Sequence, residues 1–445
     1  MNFVENPNEK NSLLFSVISQ FIYDPATIEN YRIHPSDFTR ERKLPFKCLV
    51  LALLNMPKRT LCLELHDFFF YVKGRLGNAV ERITASAFSQ RRHLLSPDVF
   101  VDMNRLLTNE YYQDNEERVK LWESFRLLSV DGSKITLPYS DELKNEYGLT
   151  YNQNCIDDLI QARVSVLYDV LNQLVIDAAL TNPEKGEITL AHQHTKYLEV
   201  GDLVIFDRGY PSFELAYEIL GQQANFIFRC KHEFSNITKQ FISTGKKEII
   251  TEIYPKQNGS FKGKQITRKN TLTVRLINIP LESGQTELLM TSLTDIEKYP
   301  FDVFKPLYFM RWNVEVFYNR IKNILAVENF SGLSINTIEQ DFHCAMFISN
   351  VQSLILDEAN EKIKDNYSSR KYEYKVNTSV SLGFMKYRII DIFIKKGSDK
   401  ALHELEKLLM QHLIPIQKDR KFERDTGKYR KRTQPPMFPN RKNVI

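Results

Sequence analysis

Three acidic side chains sit where this sequence could do chemistry. Asp131 closes the apolar run FRLLSVD, Asp207 closes LVIFD, and Glu315 lies within YFMRWNVEVFYNRIKNIL at 308–325. That last stretch reads as one helix. At about 100° per residue, Tyr308, Arg311, Glu315 and Lys322 fall within an arc of about 60°. Met310, Val314, Phe317, Ile321 and Ile324 gather on another side, so the helix has a separate apolar stripe for a core. The polar stripe from Tyr308 to Lys322 extends about 21 Å at 1.5 Å per residue. No small ligand needs that reach, but a polymer backbone would. An ordinary solvated amphipathic face accounts for the same pattern, and the helix alone does not choose between them.

Strand ends and a neighbouring helix converge at one edge of a sheet with parallel strands. Carboxylates gathered there repel unless cations neutralise them. Oxygen-only ligands, with no His or Cys at matched spacing, select Mg²⁺ or Mn²⁺ rather than zinc. Two such ions about 4 Å apart suit in-line displacement at a phosphodiester. Tyr308, Arg311 and Lys322 flank Glu315 at about 6–10 Å along the axis, comparable to the spacing of one or two phosphates. A two-carboxylate glycoside hydrolase is the competing chemistry, but it needs no metal and leaves the Arg/Lys stripe idle.

The bulk composition constrains the setting. The chain has 445 residues, 42% hydrophobic and 26% charged, which suits several domains with a real core. No apolar run approaches the ~20 residues of a membrane span, and the start MNFVENPNEK lacks the pattern of a secretory signal. The five cysteines, at 48, 62, 155, 230 and 344, form no CxxC. Neither a zinc cage nor a disulfide framework is expected, and a reducing cytoplasm fits. The net charge of +5 is unevenly placed: residues 417–445 alone carry +7, leaving −2 on the body. A basic, Pro-bearing tail suggests a polyanion contact, or simply a solubilising end.

Stepping outward from the acids, residues 1–110 read as mostly helical. Ser86, Ser89, Gln90, Arg91 and Arg92 are groove-facing candidates if ITASAFSQRRHLL belongs to a helix-turn-helix, although many helical bundles share this texture. From 125 onward the pattern becomes a strand, an antiparallel hairpin (161–169 and 172–180), a helix (184–199), a strand ending at Asp207, a helix opened by Pro211 and Ser212, and a strand at 225–231. That order suits a mixed α/β sheet. Residues 232–287 read as a β-rich basic insertion, with Lys246, Lys247, Lys262, Lys264, Arg268 and Lys269, before LLMTSL returns to the sheet. His192 and His194 diverge on a helix and are not expected to bind metal. Asp157 and Asp158 read as caps or solvated groups, Asp177 lacks a strand-end context, and Asp202 reads as a turn residue.

The residues also match a family pattern. Tyr308, Arg311, Glu315 and Lys322 form Y-x2-R-x3-E-x6-K without gaps; FDRGY (206–210), VDGS (130–133), FTRERKLPF (38–46) and AFSQRRHLL (87–95) accompany it. The chain resembles the cut-and-paste DDE transposases of bacterial insertion sequences. The resemblance implies an α/β fold with an RNase H-like mixed-sheet core. The core would occupy 116–231 and 288–354, interrupted by the 232–287 insertion, with a helical DNA-binding domain at 1–115. A helical dimerisation region with a basic tail would follow at 355–445. It implies that Asp131, Asp207 and Glu315 bind two Mg²⁺ or Mn²⁺ ions and carry catalysis. Tyr308, Arg311 and Lys322 would hold DNA phosphates. Arg208 would orient Asp207 or touch DNA, Trp312 would stack on a base or wall the site, and Ser89 and Arg92 would meet DNA. The implied partners are double-stranded DNA, at terminal inverted repeats and target, and a second copy of the chain in a homodimer. The implied location is the bacterial cytoplasm, at the nucleoid. Relatives that close a DNA hairpin can place an aromatic just before the return strand; here Thr286 and Glu287 stand there. A DNA-binding descendant without catalysis is the alternative, and retention of all three acids argues against it.

Overall fold

The computed structural model describes residues 8–417, apart from 41–43, 77–81, 115–116, 151–157, 256–265, 268, 282–283, 368–369 and 395–397. Asp157, Lys262, Lys264, Arg268 and the basic tail from 418 therefore lie outside the described residues. The chain forms two compact units, one of 1–118, 135–162 and 319–445, the other of 119–134 and 163–318. Among the described residues no helix is long and apolar enough to cross a membrane.

The second unit is built on an eight-stranded mixed sheet. Its strands are β1 (Arg126–Thr136), β2 (Gln161–Asp169), β3 (Leu174–Thr181), β4 (Asp202–Phe206), β5 (Asn225–Cys230), β6 (Glu248–Ile253), β7 (Leu272–Pro280) and β8 (Thr286–Thr291). Their spatial order is β3-β2-β1-β4-β5-β8-β7-β6. The strands β1, β4 and β5 run parallel, whereas β2 with β3, β5 with β8, β8 with β7, and β7 with β6 pair antiparallel. The run DLVIF forms β4 because it is buried along its whole length, as a strand covered on both faces must be. The helix Phe213–Gly221 packs Leu215, Ala216 and Ile219 into the same core as Val130, Phe206, Phe226 and Phe228. Its start is fixed by the Ser212 hydroxyl, which accepts the Leu215 N–H at 3.0 Å.

Asp202, read above as a turn residue, instead opens β4 and is buried. Its two carboxylate oxygens each accept from Arg126 at 2.7 Å, a bidentate pair that ties the start of β4 to the start of β1. The segment between β5 and β8 supplies the helix Asn236–Ser243 and the strands β6 and β7, which extend the same sheet.

The first unit is helical and draws on both ends of the chain. Helix Ile335–Asn366, 32 residues long, lies against Asp98–Asp114 and Phe46–Leu54, while Asn8–Tyr23 packs with Ser398–Leu409. A buried polar knot marks this core. Arg92 is only 1% exposed. Its guanidinium donates to Gln340 at 2.9 Å, Ser331 at 2.7 Å, the Thr337 carbonyl at 3.0 Å and Asp341 at 2.8 Å. A buried arginine with four acceptors serves the fold, so Arg92 does not go forward as a DNA contact. Removing it would leave the Asp341 carboxylate buried beside empty space. Arg92→Ala is expected to cost about 3–5 kcal/mol in chemical denaturation. Unchanged stability would refute this structural role for Arg92.

Candidate active site

The register of β1 on β4 brings the first two acids together. Val130 pairs with Phe206 at the last rung of the parallel ladder, and Asp131 and Asp207 are the residues that follow. Neighbouring strands stand about 4.8 Å apart, so the two backbones leave the core side by side. The Gly132 N–H donates to the Asp131 carboxylate at 2.9 Å, and the Tyr318 hydroxyl donates to the Asp131 carbonyl at 2.8 Å.

The segment carrying Glu315 is not the single helix its periodicity suggests. Helix Phe304–Phe309 stops, and Trp312–Asn323 begins after a two-residue break at Met310 and Arg311. Across the break the hydrogen bonds run three residues back: Met310 to Leu307, Arg311 to Tyr308, Asn313 to Met310 and Val314 to Arg311, at 3.0–3.1 Å. This tighter winding turns the chain inward at Tyr308 and Arg311. Both are buried, Arg311 at 4% exposure, instead of facing solvent along a basic rail. The Tyr308 hydroxyl donates to Asp207 at 3.2 Å, and Arg311 donates to Glu315 at 2.6 Å. The Arg311 guanidinium also lies 5.9 Å from the Tyr308 ring and 5.7 Å from the Trp312 ring. On the second helix the apolar stripe holds: Val314, Phe317 and Ile321 are buried. Glu315 is partly exposed and Lys322, two turns on, is half-buried, its pKa lowered by that burial against the opposing charge of Glu328.

Charge organises this edge. Burial pushes the Asp131 carboxyl up to about 6; the Gly132 N–H and Arg311 oppose the shift, and the charges of Glu315 and Asp207 add to it. Asp207 is also penalised by burial. The Arg208 backbone N–H, Arg311, Arg229 and the Tyr308 hydroxyl outweigh that penalty and hold it below the usual carboxylate range. Arg229 on β5 was not anticipated as a site residue, although a lone arginine in the apolar run NFIFRC was the available signal. It bridges Asp207 at 3.4 Å and Glu287 on β8 at 2.8 Å. Glu287 is thus part of this charge network. Among the described residues, no three carboxylates, imidazoles or thiols are grouped closely enough to hold an ion as they stand. Glu315 is engaged with Arg311 instead.

The remaining candidates separate. Arg208 and Trp312 are exposed, and Ser89 is half-exposed on helix Ala85–Arg92. Arg92 is in the helical core already described. His192 pairs with Glu218 at 2.5 Å. His194 meets Asp177 at 2.7 Å and Ser165 at 3.0 Å. The last trio has the residue types of a nucleophilic triad, but Ser165 has no exposed surface, so the hydroxyl is a clasp between helix and sheet.

Acids just past the last rung of a parallel strand pair, beside a helix that carries a third acid and is preceded by a buried arginine, define a polar centre on a mixed α/β sheet. Residues 122–351 match the family model described as transposase DDE domain, and the chain belongs to that family. It is similar to the transposase InsG for insertion sequence element IS4 of Escherichia coli K12, with 23% identity over 318 residues, covering 68% of this chain and 67% of that protein. A cryo-electron-microscopy structure of a piggyBac transposase synaptic complex with hairpin DNA aligns at a TM-score of 0.42 and 8% identity. That alignment covers 88% of this chain and 84% of the other.

The raised Asp131 pKa has a thermodynamic signature. The folded state holds this proton more tightly than the unfolded chain does. The resulting stabilisation is complete below the unfolded value and is lost as pH rises through about 6. In EDTA at pH 7.5, Asp131→Asn is expected to stabilise the fold by about 1–3 kcal/mol, a gain that shrinks as pH falls from about 6 toward 4. Urea denaturation across that range checks it; a variant no more stable than the parent at pH 7.5 refutes the charge assignment.

Proposed function

We propose that this chain is the transposase of an insertion sequence. It binds the terminal inverted repeats, hydrolyses a phosphodiester at each end and passes the freed 3′-hydroxyl to target DNA. In the first step water attacks phosphorus and the bond to the 3′-oxygen breaks, leaving a 3′-hydroxyl and a 5′-phosphate. In the second step that hydroxyl attacks a target phosphorus, and a target 3′-oxygen leaves with a proton. Family membership supports the reaction class. The observation that carries the reading is the adjacency of Asp131 and Asp207 past the Val130–Phe206 rung, with Glu315 in the same field of charge.

The strand order β3-β2-β1-β4-β5 with its parallel centre supports an RNase H-like core at 116–231 and 288–354, and β6 and β7 belong to the 232–287 insertion. The donor set fits Mg²⁺ or Mn²⁺: it is all oxygen, and burial, with the charges of Glu315 and Asp207, holds the Asp131 carboxyl up at about 6 despite Arg311. Asp131, Asp207 and Glu315 would hold two ions, whose bound form supplies an activated oxygen nucleophile and stabilises the leaving oxygen.

The chain's own groups do the rest. Tyr308 orients the Asp207 carboxylate through its hydroxyl, and Arg229 fixes it from the other side. Arg311 neutralises Glu315 and exchanges that partner for a DNA phosphate as the site fills. Lys322 grips a phosphate about 10 Å along the helix from Glu315. Arg208 and Trp312, both exposed, meet the DNA end, and Ser89 on the helical 1–115 segment contacts the repeat. Two ends must be held together, so the working unit is a homodimer formed through 355–445, with the basic tail on the nucleic acid. The setting is the bacterial cytoplasm.

The DNA flanking the gene supplies the substrate. With its inverted repeats as labelled duplex and Mn²⁺ present, Asp131→Ala, Asp207→Ala and Glu315→Ala are each expected to lose cleavage by about a thousand-fold or more. Binding measured by gel shift is expected to persist. Lys322→Ala is expected to weaken binding about five-fold and lower the salt slope by about one. Retained cleavage in the acid variants overturns the assignment, and binding without cleavage in the parent chain favours a silent DNA-binding protein.

A further inference from the structure

A further carboxylate stands at this edge, besides Asp131, Asp207, Glu315 and Glu287. Glu187 opens the helix Glu187–His194, which follows β3 and precedes β4. Neither sequence spacing nor the reading of the acids singles it out. Two glycines point to it. Gly132 follows Asp131, and Gly209 lies two residues after Asp207. Neither glycine has a positive φ, so neither position needs glycine for its backbone. What Gly132 provides is room, and Gly209 lies against the same side chain. A Cβ on Gly132 would crowd the Glu187 Cγ and Oε1 at 3.3 Å, whereas one on Gly209 would make only ordinary contact with Oε2 at 3.7 Å. One side chain therefore touches the chain beside both aspartates, tightly at Gly132 and at ordinary contact distance at Gly209.

Glu187 is held there from two directions. Arg163 on β2 pairs with its Oε1 at 3.0 Å. At the other end of its helix, His194 is clasped to Asp177 on β3 and Ser165 on β2. Behind it, Tyr210 is 2% exposed, and its hydroxyl has no hydrogen-bond partner among the described residues. The charges of Asp131, Glu187 and Asp207 all reach that hydroxyl and, after burial itself, raise its pKa. A buried donor left unpaired is costly unless something at the site takes it up.

We propose that Glu187 is a positioning residue of the cation site, a wedge between the Asp131 and Asp207 turns, clamped by Arg163. It sets the separation of the two aspartates before any ion arrives, and Tyr210 supplies a donor to their carboxylate edge. This rests on the reading of Asp131 and Asp207 as cation holders. Outer groups that orient metal ligands typically contribute 10–100-fold in affinity.

The probe is Mn²⁺ alone, titrated into the full chain and followed by the loss of its free EPR signal. Glu187→Ala is expected to weaken Mn²⁺ binding about ten-fold, with thermal unfolding in EDTA close to the parent. Gly132→Ala, which pushes the wedge aside, is expected to do the same in the parent but to add nothing in Glu187→Ala, because the two act through one contact. Glu187→Gln, which keeps the shape, is expected to recover part of the loss. Superimposable Mn²⁺ curves for the parent and Glu187→Ala, or simple addition of the two single effects, overturns the wedge. If Glu187→Ala does not fold, Gly132→Ala and Glu187→Gln carry the same test. Asp131→Ala serves as the reference: if it too binds Mn²⁺ like the parent, the cation-site reading itself fails, whereas loss in Asp131→Ala with parental Glu187 variants sinks only the wedge.

Discussion

Like charges crowded at the end of a sheet are the constraint on which the rest of this site depends. Asp131 and Asp207 leave adjacent parallel strands together, and Glu315 and Glu287 contribute to the same field. In a partly buried place such repulsion is screened weakly. The molecule answers with arginines placed from different elements. Arg311 comes from the break before helix Trp312–Asn323 and Arg229 from β5. The balance is uneven, so the two aspartates move in opposite directions: burial dominates at Asp131, and hydrogen bonds with cations prevail at Asp207. Two carboxylates of one type, a strand apart, thereby acquire different proton affinities, which is how a site divides labour between identical groups.

Much of this was legible in the residues, and the failures are physical. The acids were readable because an apolar run that stops at Asp is an unusual strand terminus; β4 does end beside Asp207, whereas β1 runs on to Thr136 and only its pairing with β4 stops before Asp131. The Ser212 cap and the hairpin of β2 and β3 followed from short-range chemistry. The helix at 308–325 was legible in its burial and wrong in its continuity. Periodicity averages over a window, so a two-residue change from four-back to three-back hydrogen bonds does not register. That slip turned a basic rail into a buried arginine. Arg92 misled for a related reason. A surface-type residue in a polar stretch looks exposed until a distant segment, here 331–341, supplies four acceptors. Glu187 and Tyr318 meet partners far away in sequence, which no local pattern encodes, and Arg229 left only its isolation in an apolar run as a sign.

The glycines of VDGS and DRGY carry a related lesson about motifs. Glycine after an acid is usually read as a turn device, and neither position here uses that freedom. At Gly132 the service is steric, since the Glu187 side chain from another element crowds the space a Cβ would take. Part of a motif's meaning therefore lies in what it admits from outside itself.

The way the polypeptide is shared between the two compact units bears on what a damaged gene can produce. The helical unit is assembled from three separate stretches and the sheet unit from two. The helix that receives Arg92 lies beyond residue 334, although Arg92 itself precedes the first strand. A copy of the gene that loses its 3′ portion therefore cannot leave behind a self-standing amino-terminal half, because that half lacks the surface against which it condenses. Shortened products would be cleared by proteases as unfolded chain, so such a loss tends to remove the protein outright instead of leaving a folded fragment.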